Sequence, residues 1–227
     1  MNKLLSFIFV AVTLAACQPA VNHEKSDIEK GLEQIGLQNV AEEIPGVEVY
    51  MVYATPYNFM GRVLYDGLDE AYLVPEAMEK LRKANELLRK KRMDLHLVVY
   101  DAARPRSIQQ QMWKVVENTD LQDFVANPNK SGGGAHNYGI AVDVTLVDCT
   151  GQPIPMGSEY DYFGDRSRVD LETQLIETSE INQRELKNRQ LLREIMTEAG
   201  WLVEPSEWWH FNAMPLAEAS QKFSVIK

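Results

Sequence analysis

Two short stretches of this 227-residue chain set side chains that can ligate a metal beside side chains that can move protons. In the run from Ser131 to Asp143 (SGGGAHNYGIAVD), a glycine-rich loop leads to His136 and then into an apolar segment that Asp143 interrupts. Burying a carboxylate among Ile140, Ala141, Val142 and Val144 is costly unless something compensates its charge. A metal cation would do so; an aspartate turned to solvent from the polar side of a strand would need no such partner. Near the C-terminus, Glu207-Trp-Trp-His210-Phe places a base three residues from a candidate ligand, or is an aromatic core strand with incidental polar residues. Catalytic zinc commonly takes three protein ligands and keeps a position for water. His136, Asp143 and His210 supply such a set, and Glu207 is left to take a proton from that water. The His-Glu-x-x-His motif is absent. The glycines do not make a phosphate loop, because no Gly-Lys-Ser/Thr follows them. Of the other two histidines, His23 lies in a polar N-terminal stretch. His96 lies in an apolar run and reads as structural.

These groups need elements to carry them. Val47 to Ala54 (VEVYMVYA), Leu95 to Tyr100 (LHLVVY) and Ile140 to Val147 have the β-branched, aromatic or alternating character of strands, and Trp201 to Phe211 contains a final one. Pro75 to Lys91 reads as a helix, with Pro75 in its first turn and Leu81, Ala84, Leu87 and Leu88 at helical spacing. Ser107 to Val116 reads as a second helix with Ser107 near its start. Asn182 to Ala199 reads as a charged amphipathic helix stopped by Gly200, and Asp27 to Val40 as a short helix broken by Gly31 and Gly36. Helices and strands mix without βαβ regularity, which predicts the α+β class.

The chain is long enough for one domain with a substantial core, and 45% of its residues are apolar. A formal net charge of -10 disfavours non-specific binding to nucleic acid or to anionic lipid surfaces. The first residues read as an export signal: Lys3 is followed by the apolar run Leu4 to Ala16, too short for a comfortable bilayer span. The run ends Leu14-Ala15-Ala16-Cys17, which resembles a bacterial lipobox in which the cysteine is acylated and becomes the mature N-terminus. The expected division is a signal peptide over 1–16, a polar tether over 17–26 and one catalytic domain over 27–227. The expected location is outside the cytoplasm, lipid-anchored through Cys17 to a bacterial membrane and facing the periplasm. Cys149 then has no intramolecular partner, which excludes a disulfide framework, and it reads as an inert small residue at a strand end.

The pair His136-x6-Asp143 and Glu207-x-x-His210 resembles the zinc signature of the D,D-peptidases that share a fold with the Hedgehog signalling domain. Within that superfamily the chain is similar to the vancomycin-resistance type of D-alanyl-D-alanine dipeptidase. The supporting stretches are Tyr53-Ala-Thr, Tyr100-Asp-Ala-Ala-Arg104-Pro-Arg, Pro155-Met-Gly-Ser-Glu-Tyr-Asp161, Asp165-Arg-Ser and Glu207-Trp-Trp-His-Phe. They span most of the mature chain.

The resemblance implies a single domain with an antiparallel-rich sheet flanked by helices. It implies one zinc ion per chain on His136, Asp143 and His210, with Glu207 as general base. Arg104 matches the arginine that steadies the developing oxyanion, although by sequence alone it is equally a surface charge after a strand. Asp161 matches the carboxylate that receives the substrate's free amino group, and Tyr53 matches a pocket tyrosine. One departure is Gly134, where the family usually has Ser two residues before the first zinc histidine; this bears on fine specificity rather than on zinc. The implied substrate is a small dipeptide, with membrane contact through lipid alone and no protein partner. The alternatives are a D,D-carboxypeptidase or endopeptidase acting on peptidoglycan stems, and a zinc-containing binding domain without catalysis. Glu207 and Arg104 together argue against the last. A serine D,D-peptidase is excluded because the one Ser-x-x-Lys, Ser224 to Lys227, sits at the chain end.

Overall fold

The computed structural model describes residues 24–130 and 133–227. The signal segment, Cys17, His23, Ser131 and Gly132 lie outside the described residues. The chain begins with α1 (Asp27–Gln34), β1 (Gln38–Asn39), α2 (Val40–Glu43), β2 (Glu48–Val49) and β3 (Tyr72–Leu73). It continues through α3 (Pro75–Lys91), β4 (Leu95–Asp101), α4 (Arg106–Val116) and β5 (Ala141–Asp148). It ends with α5 (Glu172–Glu177), α6 (Gln183–Glu198), β6 (Leu202–Val203), β7 (His210–Asn212) and α7 (Leu216–Lys222).

The main sheet has the order β2-β4-β5-β7-β6; β2 runs parallel to β4, and the other neighbours are antiparallel. β1 and β3 form a small separate antiparallel pair. The α+β expectation and the antiparallel-rich sheet are borne out. β5 is buried along both faces. Side chains alternate across a strand, so Val142, Val144 and Leu146 enter the main core while Asp143 and Thr145 face the other way. The core continues into α3 and α6, which pack on each other and contribute Leu81, Leu88, Leu192 and Ile195 to it. Trp201, Trp209 and Phe211 close it from the C-terminal strands.

The register of this sheet assembles the site. Asp101 pairs with Asp143, and Asp143 pairs with His210, so three adjacent strands place these residues in one row. A bulge between Val99 and Asp101 adjusts the end of β4 at that row, the position where such irregularities re-aim a side chain.

Several expected boundaries move. The strand expected over Val47 to Ala54 survives only as β2, because the chain tightens into a 3-10 turn at Val52–Ala54 that buries Tyr53. The final strand splits into β6 and β7, with Glu207 in the turn between them. α4 begins at Arg106 behind Pro105, and Ser107 makes no cap. Gly31 lies inside α1, while Gly36 at φ 90° terminates it. Ser26 caps α1 in a reciprocal capping box with Glu29, and Lys25 pairs with Glu33 and, at 2.8 Å, with Glu42. Lys25 and Ser26, expected at the end of the tether, are thereby bound to the neighbouring elements. The α6 expectation holds: Asn182 caps it, and Gly200 at φ 96° ends it.

Candidate active site

His136 is delivered by a 3-10 turn over Ala135–Tyr138, closed by Gly139 in the left-handed region at φ 66°. Asn137 braces this turn: its side-chain oxygen accepts from Gly134 N at 2.9 Å, and its amide donates to Arg104 O at 2.8 Å. Glycine is needed before it, since a Cβ on Gly133 would lie 2.3 Å from the Asn137 oxygen. The C-terminal tail clasps the same turn. Ile226 N donates to Asn137 O at 2.8 Å, and Ile226 O accepts from Arg106 N at 2.8 Å. The ring of His136 is oriented by Nδ1, which donates to Ala102 O at 2.6 Å and leaves Nε2 facing the row.

Nε2 of His136 lies 3.1 Å from Nδ1 of His210 and 3.3 Å from Oδ1 of Asp143. Nδ1 of His210 lies 3.0 Å from that same oxygen. His210 is oriented from its far side, where Nε2 donates to the Asn212 oxygen at 3.0 Å. The other carboxylate oxygen of Asp143 accepts from the Tyr160 hydroxyl at 2.9 Å. Two imidazole nitrogens and one carboxylate oxygen thus converge within 4.8 Å of one another. Each imidazole commits its other nitrogen to an outer acceptor, and the carboxylate commits its other oxygen to an outer donor. That is the donor set and the supporting shell a four-coordinate zinc ion requires, so the residues present fit the metal.

Charge follows from this crowding. Burial alone would raise the Asp143 carboxyl, but the two histidines hold it far below the usual carboxylate range. Burial would lower the His210 imidazolium; the hydrogen bond and charge of Asp143 override it and push His210 up to about 9. Glu207 is on the turn before His210, its Oε2 3.9 Å from His210 Nδ1. Burial pushes its carboxyl up to about 8 against the pull of His210, and it stands beside the ligand set, where a proton acceptor would be needed.

Arg104 and Asp161 open on the same space. A cavity of about 340 Å³ is lined by Tyr53, Arg104, His136, Asp143, Asp161, Glu207 and His210. Asp161 accepts from the Tyr53 hydroxyl at 2.8 Å and from Phe59 N at 3.3 Å, and burial raises its carboxyl to about 7. Its backbone is left-handed, φ 59°. Arg104 is packed over the Tyr53 ring, 5.1 Å from its centroid. Its NH1 donates to Gln109 at 2.8 Å, and Gln109 in turn donates to Ala126 O at 2.8 Å. Phe59, Phe163 and Phe124 make an aromatic wall, with neighbouring centroids 4.8 and 5.2 Å apart.

All seven site residues expected on the domain therefore meet in one cavity. Cys17 lies outside the described residues. His96 pairs with Val147 in the sheet and does not line the cavity, and Cys149 is exposed just past β5. Gly134 has a local reason: a Cβ there would meet the Ala126 methyl at 2.8 Å, so a serine would displace the neighbouring segment. Sequence reasoning missed Asp101, Tyr160, Gln109 and Asn212. Asp101 was within reach, since it is a carboxylate at the end of an apolar run, like Asp143. Asn212 follows His210 by two residues on the same strand face. Tyr160 and Gln109 gave no signal.

Comparison with known proteins agrees with this geometry. The family described as D-ala-D-ala dipeptidase matches residues 33–227. A D-alanyl-D-alanine dipeptidase of Escherichia coli K12 is 31% identical over 176 residues, covering 78% of this chain and 83% of that protein. Proteins of the same name from Enterococcus faecium and Synechocystis are each 29% identical, over 78% and 65% of this chain and 91% and 71% of their own lengths. The chain belongs to the D-ala-D-ala dipeptidase family of peptidases.

Proposed function

We propose that this protein hydrolyses free D-alanyl-D-alanine to D-alanine, with one zinc ion held by His136, Asp143 and His210. The observation that carries the reading is the half-buried Asp161 carboxylate in the same cavity as those three ligand atoms and Glu207. When bound, zinc supplies Lewis acidity that polarises a carbonyl and makes water more acidic. Glu207 takes the proton of the attacking water on a carboxylate oxygen and returns it to the departing nitrogen. Arg104 stabilises negative charge on the carbonyl oxygen with N–H groups that its partners leave free. Asp161, positioned by Tyr53 and Phe59, receives the substrate ammonium, and this pairing favours a free dipeptide over a longer chain.

The sequence at the N-terminus supports export and acylation at Cys17, with the enzyme facing the periplasm and held to a membrane by lipid alone. No helix among the described residues is long and apolar enough to cross a membrane. The deciding experiment is zinc-dependent hydrolysis of free D-Ala-D-Ala against the N-acylated dipeptide. Selective cleavage of the free dipeptide is expected; equal cleavage would replace this reading with a carboxypeptidase acting on stem peptides.

A further inference from the structure

The two oxygens of Asp143 have different surroundings. Oδ1 faces the imidazoles, 3.0 Å from His210 Nδ1 and 3.3 Å from His136 Nε2. Oδ2 accepts a hydrogen bond from the Tyr160 hydroxyl at 2.9 Å, and Arg104 NH2 stands 3.9 Å away, beyond hydrogen-bond reach. A carboxylate with one oxygen fixed by a donor offers a metal its other oxygen in a single orientation. The Tyr160 ring is itself gripped, its centroid 5.2 Å from that of Tyr100, 5.3 Å from that of Trp209 and 6.2 Å from that of Tyr53, so the hydroxyl cannot swing aside without disturbing three other rings.

We propose that Tyr160 is a positioning residue of the metal centre: it holds the outer oxygen of Asp143 and thereby fixes how this ligand meets the cation. The inference rests on the zinc reading of the site. Tyr160 does more than steady one ligand. The next residue, Asp161, adopts φ 59° in the same turn, and its carboxylate accepts from the Tyr53 hydroxyl in the same cavity. One dipeptide of the chain therefore serves both the metal ligand and the carboxylate that receives the substrate amine.

The test is Tyr160→Phe, which removes one hydroxyl and keeps the ring. Zinc affinity is measured by competition with a chromophoric chelator, and the visible spectrum of the cobalt-substituted protein is recorded alongside. Losing an outer-shell partner of a ligand weakens metal binding roughly 10–100-fold, so a rise of that size in Kd and a changed cobalt spectrum are expected, with circular dichroism unaltered. Tyr53→Phe is the control, since that hydroxyl contacts Asp161 rather than Asp143; its zinc Kd should match the wild type. A Tyr160→Phe Kd within about twofold of wild type, or an equal loss in Tyr53→Phe, overturns the positioning role while leaving the metal site intact. A wild-type protein that takes up no zinc overturns the metal reading and this inference together.

Discussion

Arg104 is gripped along its Nε edge by Asp101: Nε donates to Asp101 Oδ2 at 2.8 Å, NH2 donates to the same oxygen, and the Tyr65 hydroxyl donates to the other oxygen at 2.6 Å. The aspartate is fully buried and the arginine nearly so. This pairing lets a permanent cation stand in the cavity at a fixed angle. It also makes Arg104 dependent on its partner. Asp101→Ala leaves a buried guanidinium unpaired, and breaking such a pair typically costs about 3–5 kcal/mol. Urea unfolding should show that loss; an unchanged midpoint would mean that the pair contributes nothing to the fold.

Glu207→Gln keeps shape and removes the proton acceptor. Zinc occupancy should stay at one per chain while kcat falls roughly 10²–10⁴-fold, the usual size of a general-base contribution. Metal analysis and steady-state rates on the same preparation check this. Activity within a few-fold of wild type would take Glu207 out of the mechanism.

Asp161→Asn is the informative change for specificity. Asparagine is isosteric and tolerates the left-handed backbone, whereas alanine at φ 59° adds strain. Removing the carboxylate leaves the substrate ammonium without its partner. At about 1.4 kcal/mol per decade, an effect of about 3 kcal/mol lowers kcat/KM for the free dipeptide roughly 10²-fold. The gap between free and N-acylated substrate should narrow, because the acylated one never had an ammonium to pair. A uniform loss on both substrates would reduce Asp161 to a structural role.

Metal binding should release a proton below about pH 9. Asp143 raises the His210 imidazolium to about 9, above the usual histidine value near 6.5, so around neutral pH a cation must displace that proton before Nδ1 can ligate. Apparent zinc affinity should therefore fall as pH drops below about 9, by up to tenfold per pH unit for one proton. Calorimetric titration in buffers of different ionisation enthalpy measures the proton count. No proton release at pH 7 would place the ligand set elsewhere. In the apoprotein the same raised value stabilises the fold fully below about pH 6.5, and that contribution fades as pH rises through about 9.

Cys17→Ala should move the protein from membrane to soluble fractions with its hydrolytic rate unchanged. Acyl chains supply the attachment at roughly 0.8 kcal/mol per buried methylene, and nothing else in the expected anchor replaces them. Continued sedimentation of the variant with membranes would point to another attachment.

The chemistry of the site was legible in the sequence to the extent that it rests on residue type. Asp143 stood out because a carboxylate within an apolar strand asks for compensation, and Glu207 and His210 because of their spacing. The roles of Arg104, Asp161 and Tyr53 came from family resemblance, since a residue after a strand or in a turn carries no local mark of its function. What sequence could not carry was long-range register. Asp143 and His210 are 67 positions apart, and only the pairing of β5 with β7 makes them neighbours. The strand boundaries failed where tertiary contacts override local preference. Val52 and Tyr53 have strand-forming side chains, yet the chain turns there to sink Tyr53 into the pocket. The aromatic run at Trp208 and Trp209 is buried, but Trp208 sits on the turn, where its ring nitrogen reaches Ser158 at 2.8 Å.

The clasp between Ile226 and the His136 turn has a consequence for how the enzyme matures. Ile226 supplies both backbone bonds that tie Asn137 and the start of α4 together. A nascent chain emerges from its N-terminus, so the wall carrying the first metal ligand, His136, remains unfastened until residue 226 has been made. β7, with the last ligand, also arrives late. The ligand set thus cannot close until β7 and residue 226 have both emerged, and a chain exported unfolded would load its metal in the compartment where it folds rather than where it was made.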